Sequence, residues 1–343
     1  MAHSAMQHAG APTRRYLRPQ DLARLRHMQF RPRQAVRGHY AGRHRSHQHG
    51  HSVEFNDYRQ YAPGDDVGDI DWKVYGRSNR LYLKLFEHQT DMTVALLVDS
   101  SMSMGFRGAD LPWHNRRTNA GAAAWLTRSL RSRLPKFAPP RDDDPTLLSK
   151  FELACHLAAA VGFLVTKQQD RVSLGLACRG LHEFIPPAAT PSHLDKMLAL
   201  LETSVPEGPA KLGDALLQLS QRLRRRSIVM VFSDLWDDRM QTLKSLSILA
   251  HRGHELVLFH TLHEHELRLP DVQRALLVDC ETNQRMRLDA NEVKADYQQR
   301  MDEFLASWRH AAAAQGVDYN LASTAQPYHV VLERYLFNRA GRT

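Results

Sequence analysis

Asp99, Ser100, Ser101 and Ser103 end the stretch VALLVDSSMSM (Val94–Met104), where an apolar run gives way abruptly to a carboxylate and hydroxyls. An apolar run of this kind, with the flanking Thr93, suits a buried strand. A strand that ends this way can use its polar tip to cap a helix, to attack a substrate or to hold an ion. A second apolar run, SIVMVF, ends comparably on Ser233-Asp234. In open α/β sheets, ligands bind beyond the carboxyl ends of the strands. Two carboxylates and several hydroxyls from separate strand ends can therefore converge there. Hard oxygen donors of this type suit Mg²⁺, Mn²⁺ or Ca²⁺ rather than zinc or copper.

The competing chemistries have less support. A serine-hydrolase elbow requires Gly-x-Ser-x-Gly, and this tip has no such pattern. A phosphoaspartyl transferase of the haloacid dehalogenase type requires a second carboxylate two residues after Asp99, where Ser101 stands. Helix capping by Ser100 to Ser103 explains one hydroxyl. It does not explain a carboxylate at a buried strand end matched by Asp234. The catalytic alternative is a divalent-metal phosphohydrolase using Asp99 and Asp234, but neither loop carries a motif for a general base or a leaving-group acid.

Other groups with ligand potential have simpler uses. Asp65, Asp66, Asp69 and Asp71 do not have EF-hand spacing; a Pro-Gly turn whose carboxylates pair with Arg59, Arg77 or Arg80 accounts for them better. His44, His47, His49 and His51 lack Cys or carboxylate partners and read as a solvated loop. Trp72 reads as a core anchor. Cys155, Cys178 and Cys280 are odd in number and form no CxxC pair, which argues against a zinc site or a disulfide framework.

The elements that must position the two tips follow from periodicity. Strands are expected at Thr93–Val98, Arg171–Ala177, Ser227–Phe232, Glu255–Thr261 and Val317–Ala322. Helices are expected at Phe151–Lys167, Lys211–Arg225, Arg239–His251 and Asn291–Ala314. Alternation of this kind predicts an α/β fold, a doubly wound and mostly parallel sheet covered on both faces. Ala275–Asp289 reads as a hairpin turning at Glu281–Gln284. Upstream, residues 1–18 read as disordered, Pro19 to about Met28 as a short helix and Arg80–His88 as a strand. Between Met104 and Lys150 runs a long Pro- and Asp-rich connection, and connections of that length are often functional. Within it, Ala120–Leu134 is expected to be an amphipathic helix, and the segment carries Arg116, Arg117, Arg128, Arg131 and Arg133 with apolar Trp125, Leu126, Leu130 and Leu134. Both ends of this connection must lie near the Asp99 tip.

The chain has 343 residues and a formal net charge of +9. The first fifty residues hold ten arginines and one acid, Asp21, while the remainder balances 36 bases against 36 acids. Such an arm could meet nucleic acid or an anionic surface. No aromatic-interleaved or recognition-helix motif accompanies it, so packing against the body is the favoured use and nucleic acid is not. The apolar runs are of strand length and the start of the chain has no apolar signal core, so the expectation is a cytoplasmic protein with no membrane span.

Two resemblances sharpen this picture. Asp99-x-Ser101-x-Ser103 resembles the Asp-x-Ser-x-Ser motif of the metal-ion-dependent adhesion site in von Willebrand factor A domains. The resemblance implies Asp99, Ser101, Ser103 and Asp234 as metal ligands, with a partner's acidic residue completing the shell. A second loop of that family supplies a Thr; here GPAKLGDAL places Ala210 at that position with Lys211 beside it. The implied Mg²⁺ (or Mn²⁺/Ca²⁺) is then weakly bound or absent, and the Lys211 ammonium could repel or replace it.

The stretch SVEFNDYRQYAPGDDVGDIDWKVYGRSNRLYLKLFE resembles the signature of a bacterial domain-of-unknown-function family, number fifty-eight. The matching positions are Glu54, Phe55, Arg59, Tyr61, Gly64, Asp65, Asp66, Ile70, Asp71, Trp72 and Arg77. The likeness extends through KFELACHLAAAVGFLV, DRVSLGLA and YLFNRAG. It implies a non-enzymatic adaptor that works with a MoxR-type AAA+ ATPase and a client protein in protein maturation or cofactor assembly. The expected organisation is a basic, partly disordered segment (1–37), a smaller β-containing segment with the signature (38–90), and a von Willebrand factor A-like domain (91–343) with an insertion at 105–149.

Overall fold

The computed structural model describes residues 14–30, 54–61, 70, 72–78, 80–87, 92–108, 148–224, 226–272, 274–280 and 284–340. The chain forms two compact units, one of Met1–Arg31 with Thr93–Arg342 and one of Pro32–Met92.

In chain order, helix α1 (Pro19–Leu25) belongs to the large unit. The small unit follows, with β1 (Glu54–Gln60), α2 (Trp72–Ser78) and β2 (Tyr82–Glu87). Strands β1 and β2 pair antiparallel, with a bulge between Phe55 and Asp57. Trp72 is 58% exposed on α2 and meets only Tyr75 edge-on among the described rings. This exposure corrects the core-anchor reading. The acidic residues Asp65, Asp66, Asp69 and Asp71 and the His44–His51 cluster lie outside the described residues.

The large unit continues with β3 (Thr93–Asp99), α3 (Lys150–Lys167), β4 (Arg171–Ala177), β5 (Leu181–Ala188), α4 (Pro191–Thr203), α5 (Leu212–Arg222), β6 (Ile228–Ser233), α6 (Arg239–His251) and β7 (Glu255–Leu262). It ends with α7 (Glu264–Leu267), β8 (Arg274–Val278), β9 (Arg285–Asp289), α8 (Ala290–Ala314), β10 (Asp318–Ser323) and α9 (Tyr328–Ala340). The main sheet has six strands in the order β10-β7-β6-β3-β4-β5. All neighbours are parallel except β4 and β5, which form an antiparallel edge. Strands β8 and β9 form the hairpin expected from the sequence.

β3 lies at the centre of this sheet, and Val94 to Val98 are all fully buried. Side chains alternate between the faces of a strand. Ala95 and Leu97, with Val229, Val231, Leu256 and Leu258, pack on one face against Leu212, Leu216 and Leu219 of α5, Leu246 and Leu249 of α6, and Trp308 of α8. On the other face α3 is buried on nearly every side, which explains why its sequence is apolar almost all round. Ser149 and Glu152 cap its start reciprocally.

The arginine-rich arm contributes to this core. Tyr16, Leu17, Leu25 and Phe30 are buried, and the Arg339 guanidinium lies 4.9 Å from the Phe30 ring centroid. Tyr16 sits edge-on to His156 of α3. The disorder expected through residue 18 therefore does not extend to residues 14–18, because Tyr16 and Leu17 have apolar surface to cover; residues 1–13 lie outside the described residues.

Candidate functional site

β3 and β6 are parallel neighbours, with Val98 beside Phe232. Asp99 and the Ser233-Asp234 pair therefore emerge together at the carboxyl edge of the sheet. Asp99 is 2% exposed and Asp234 is fully buried. The Ser233 hydroxyl donates to Asp99 Oδ2 at 2.6 Å, and the Ser101 N–H donates to Asp99 Oδ1 at 2.9 Å. The Ser101 and Ser103 hydroxyls stand 3.2 Å apart. Ser101 occupies the N-cap of a 3-10 helix (Met102–Gly105), yet its side chain makes no capping bond. Its hydroxyl is thus kept for the cluster and not spent on the helix. Ser100 instead donates to the Ala177 carbonyl at 3.1 Å.

The turn after β6 is tightly built. The Leu235 N–H donates to Ser233 Oγ at 3.0 Å, and the Trp236 N–H donates to Asp234 Oδ1 at 3.2 Å. Leu235 is buried with φ 58°, a left-handed conformation that costs a non-glycine residue of order 1 kcal/mol or more. His260 of β7 supports the turn from the next strand, with Nε2 at 2.9 Å from the Asp234 carbonyl oxygen. Burial lowers the His260 pKa to about 4, so this imidazole is neutral.

The cation at this edge is a lysine, and it is not the one beside Ala210. Lys211 is exposed at the start of α5. Lys150, the first residue of α3, is 1% exposed and donates from Nζ to Asp234 Oδ2 at 2.7 Å and to Glu266 Oε1 of α7 at 2.6 Å. Burial acts to lower the Lys150 pKa, but the charges of Asp234 and Glu266 outweigh it and hold the ammonium above its ordinary value. Asp99 is pushed up to about 7, first by burial and then by the charge of Asp234. Lys150, Glu266 and His260 are the site residues that spacing arguments miss. The only local hint is an uncompensated lysine opening an otherwise apolar helix.

The second loop contributes backbone. The Met102 N–H donates to the Gly208 carbonyl at 2.8 Å and the Glu207 N–H to the Ser100 carbonyl at 2.8 Å. At position 210 there is no hydroxyl to offer. Both ends of the 105–149 connection reach the site, since the Lys150 N–H donates to the Phe106 carbonyl at 3.3 Å and Phe106 stands edge-on to His263. Its body, including Ala120–Leu134, lies outside the described residues.

These contacts decide how well a divalent ion fits. Both oxygens of Asp234 are engaged, one of them by an ammonium, and both oxygens of Asp99 accept hydrogen bonds. With Lys150 in place, the donor set does not fit a divalent ion.

Fold and site together define a doubly wound α/β protein with an Asp-x-Ser-x-Ser tip at a central strand end. The family model described as "Protein of unknown function DUF58" matches residues 57–136 and 142–305, more than half of the chain, and the chain belongs to that family. It is 26% identical over 268 residues to the uncharacterized protein Rv1480 of Mycobacterium tuberculosis (strain H37Rv), covering 77% of this chain and 72% of that one. Among solved structures it is similar to the conserved hypothetical protein BatB from Bacteroides thetaiotaomicron, with a TM-score of 0.41, 11% identity, and coverage of 74% of this chain and 100% of that one. It is also similar to a von Willebrand factor type A protein from Catenulispora acidiphila, with a TM-score of 0.36, 8% identity, and coverage of 76% of this chain and 44% of that one. TM-scores this low carry no argument about the fold, which rests on the strand order itself: a doubly wound, mostly parallel six-stranded α/β sheet. No helix among the described residues is long and apolar enough to cross a membrane.

Proposed function

We propose that the chain is a non-enzymatic, cytoplasmic adaptor that grips a protein partner at the carboxyl edge of its main sheet, around Asp99, Ser101, Ser103 and Asp234. The observation that supports this reading most directly is that both acids of the edge are committed internally, Asp99 to Ser233 and Ser101 and Asp234 to Lys150 and Trp236. General acid–base or nucleophilic work needs a group within reach of a substrate, and these carboxylates are buried. What the segments after the two strand ends do offer is contact surface: Met102 is 41% exposed, Trp236 45% and Met240 77%. Aromatic residues and Met are enriched in protein interfaces.

The partner in this reading is a MoxR-type AAA+ ATPase, and the complex acts on a client protein in maturation or cofactor assembly. Mg²⁺, Mn²⁺ or Ca²⁺ enters the reading only as an ion that must displace Lys150 or share its carboxylates. The test is direct binding between the purified full chain and a MoxR-type ATPase from the same genome, followed by biolayer interferometry with ATP present. Trp236→Ala and Met102→Ala should each weaken binding by roughly thirtyfold, the lower end of an interface hot spot. Wild-type binding that neither substitution alters would move the interface away from this edge, and no binding at all would remove the ATPase as partner.

A further inference from the structure

Lys150 occupies a position that ordinary helix chemistry disfavours. The first turn of a helix presents unpaired N–H groups and a partial positive charge, so acids are favoured there and cations are not. A fully buried ammonium also loses its water. Lys150 carries both penalties, and what answers them comes from elsewhere in the fold. Asp234 arrives from the end of β6 and Glu266 from α7, each within hydrogen-bond distance of the ammonium. Glu266 is itself fixed, because its Oε2 accepts the His263 N–H at 2.9 Å. The Phe106 ring lies 6.0 Å from the ammonium on a further side. Three elements thus build a cage for one positive charge at the strand-end edge, where the Asp-x-Ser-x-Ser resemblance leads one to expect a metal.

We propose that the Lys150 ammonium is the resident cation of this site and excludes divalent metal from Asp99, Ser101, Ser103 and Asp234. Asp234 Oδ2 already accepts from a positive donor, and its Oδ1 accepts the Trp236 N–H. Mg²⁺ demands near-ideal octahedral geometry, and Ala210 removes one hydroxyl from the shell. A divalent ion would have to enter beside a fixed like charge or expel an ammonium that is 1% exposed. The edge is then a prebuilt surface whose form does not depend on the metal supply. The proposal uses the same site as the adaptor reading but is read out without any partner, so either can fail alone.

The experiment is Mn²⁺ binding to the full chain after chelator treatment, followed by electron paramagnetic resonance. The variants are wild type, Asp234→Asn, Lys150→Met, and Lys150→Met combined with Asp234→Asn. Wild type should show no Asp234-dependent Mn²⁺. Lys150→Met should gain one Mn²⁺ per chain, at least about tenfold tighter than anything wild type holds, and the added Asp234→Asn should abolish it. Mn²⁺ bound by wild type and lost in Asp234→Asn overturns the proposal, as does a folded Lys150→Met chain that gains no ion. Should Lys150→Met unfold in metal-free buffer, restoration of its fold by Mn²⁺ supports the proposal, and failure to restore it counts against.

Discussion

Substituting Lys150 by Met tests whether the buried charge cluster is assembled as described. The side chain keeps most of its length and loses its charge, which strands Asp234, fully buried, and Glu266, whose side chain is 18% exposed. At an effective dielectric of about 20, one ion pair at contact is worth roughly 4 kcal/mol, and removing a charge from water costs several kcal/mol per ion. The net value of the intact cluster is therefore small. Breaking it by removing one member is a different matter, because the orphaned carboxylate keeps its desolvation cost and loses its partner. That asymmetry sets the expected loss at about 3–5 kcal/mol. Adding Asp234→Asn to Lys150→Met removes the orphaned charge and should restore at least about half of that loss, roughly 2 kcal/mol. The assay is urea unfolding of the single and double variants, followed by circular dichroism in chelator. A Lys150→Met loss below about 1 kcal/mol, or a double variant no more stable than Lys150→Met alone, would refute the buried ion pair.

Three further expectations concern the scaffold. Burial lowers His156 to about pKa 4, so the fold holds it neutral while the unfolded chain takes up a proton below its ordinary value near 6.5. Stability from this residue is complete above about pH 6.5 and is lost as pH falls toward 4; His156→Phe should therefore reduce the loss between about pH 7.5 and pH 5.5 by about 1 kcal/mol, and an unchanged pH dependence of the urea midpoint would refute it. Gly213→Ala should destabilise by about 1–3 kcal/mol, although Ala normally favours a helix, because a Cβ there would lie 2.7 Å from Gln241 Cγ and 3.1 Å from the Thr242 backbone N; a more stable variant would show that α5 and α6 are not this close. Phe30→Ala should cost about 3–5 kcal/mol, as expected for a buried ring beneath Arg339, whereas a loose basic arm would leave the unfolding midpoint unmoved.

The parallel strands were legible because a strand buried on both faces is written as a continuous apolar run, and α/β alternation leaves few ways to arrange such runs. Strand β4 and helix α6 match their expected bounds, and the other expected elements among the described residues agree to within a few residues. The antiparallel edge strand β5 was not legible. LHEFIPPA carries two prolines, which disqualify it as a central strand and are tolerated only at an edge. Helix α4 was hidden for a related reason, since Pro191 at its first position reads locally as a turn although it suits the first turn of a helix. The arm was misjudged at residues 14–18 because charge dominates its composition, whereas its fate is decided by Tyr16 and Leu17.

At the site the same contrast holds between what local patterns encode and what tertiary placement adds. Asp99 and Asp234 were identifiable because each breaks an apolar run at a strand end, a local discontinuity that the sequence displays. Ser233 became identifiable only with its neighbour, and its hydroxyl links the two strand ends through Asp99. Lys150 follows no such pattern, since it lies 51 residues after Asp99 and 84 before Asp234. Its neighbours Ser149 and Glu152 are ordinary helix-start residues. Only its sign is wrong for the position, and a wrong sign in one exposed residue would mean little. It becomes informative once the residue is buried, because burial turns a preference of a few tenths of a kcal/mol into a charge that must be matched. The fold matches it with carboxylates from two other elements, one of them the residue expected to ligate metal. A local rule broken at high cost and compensated at long range is a mark of function, and here it identifies the cation of the site as part of the chain.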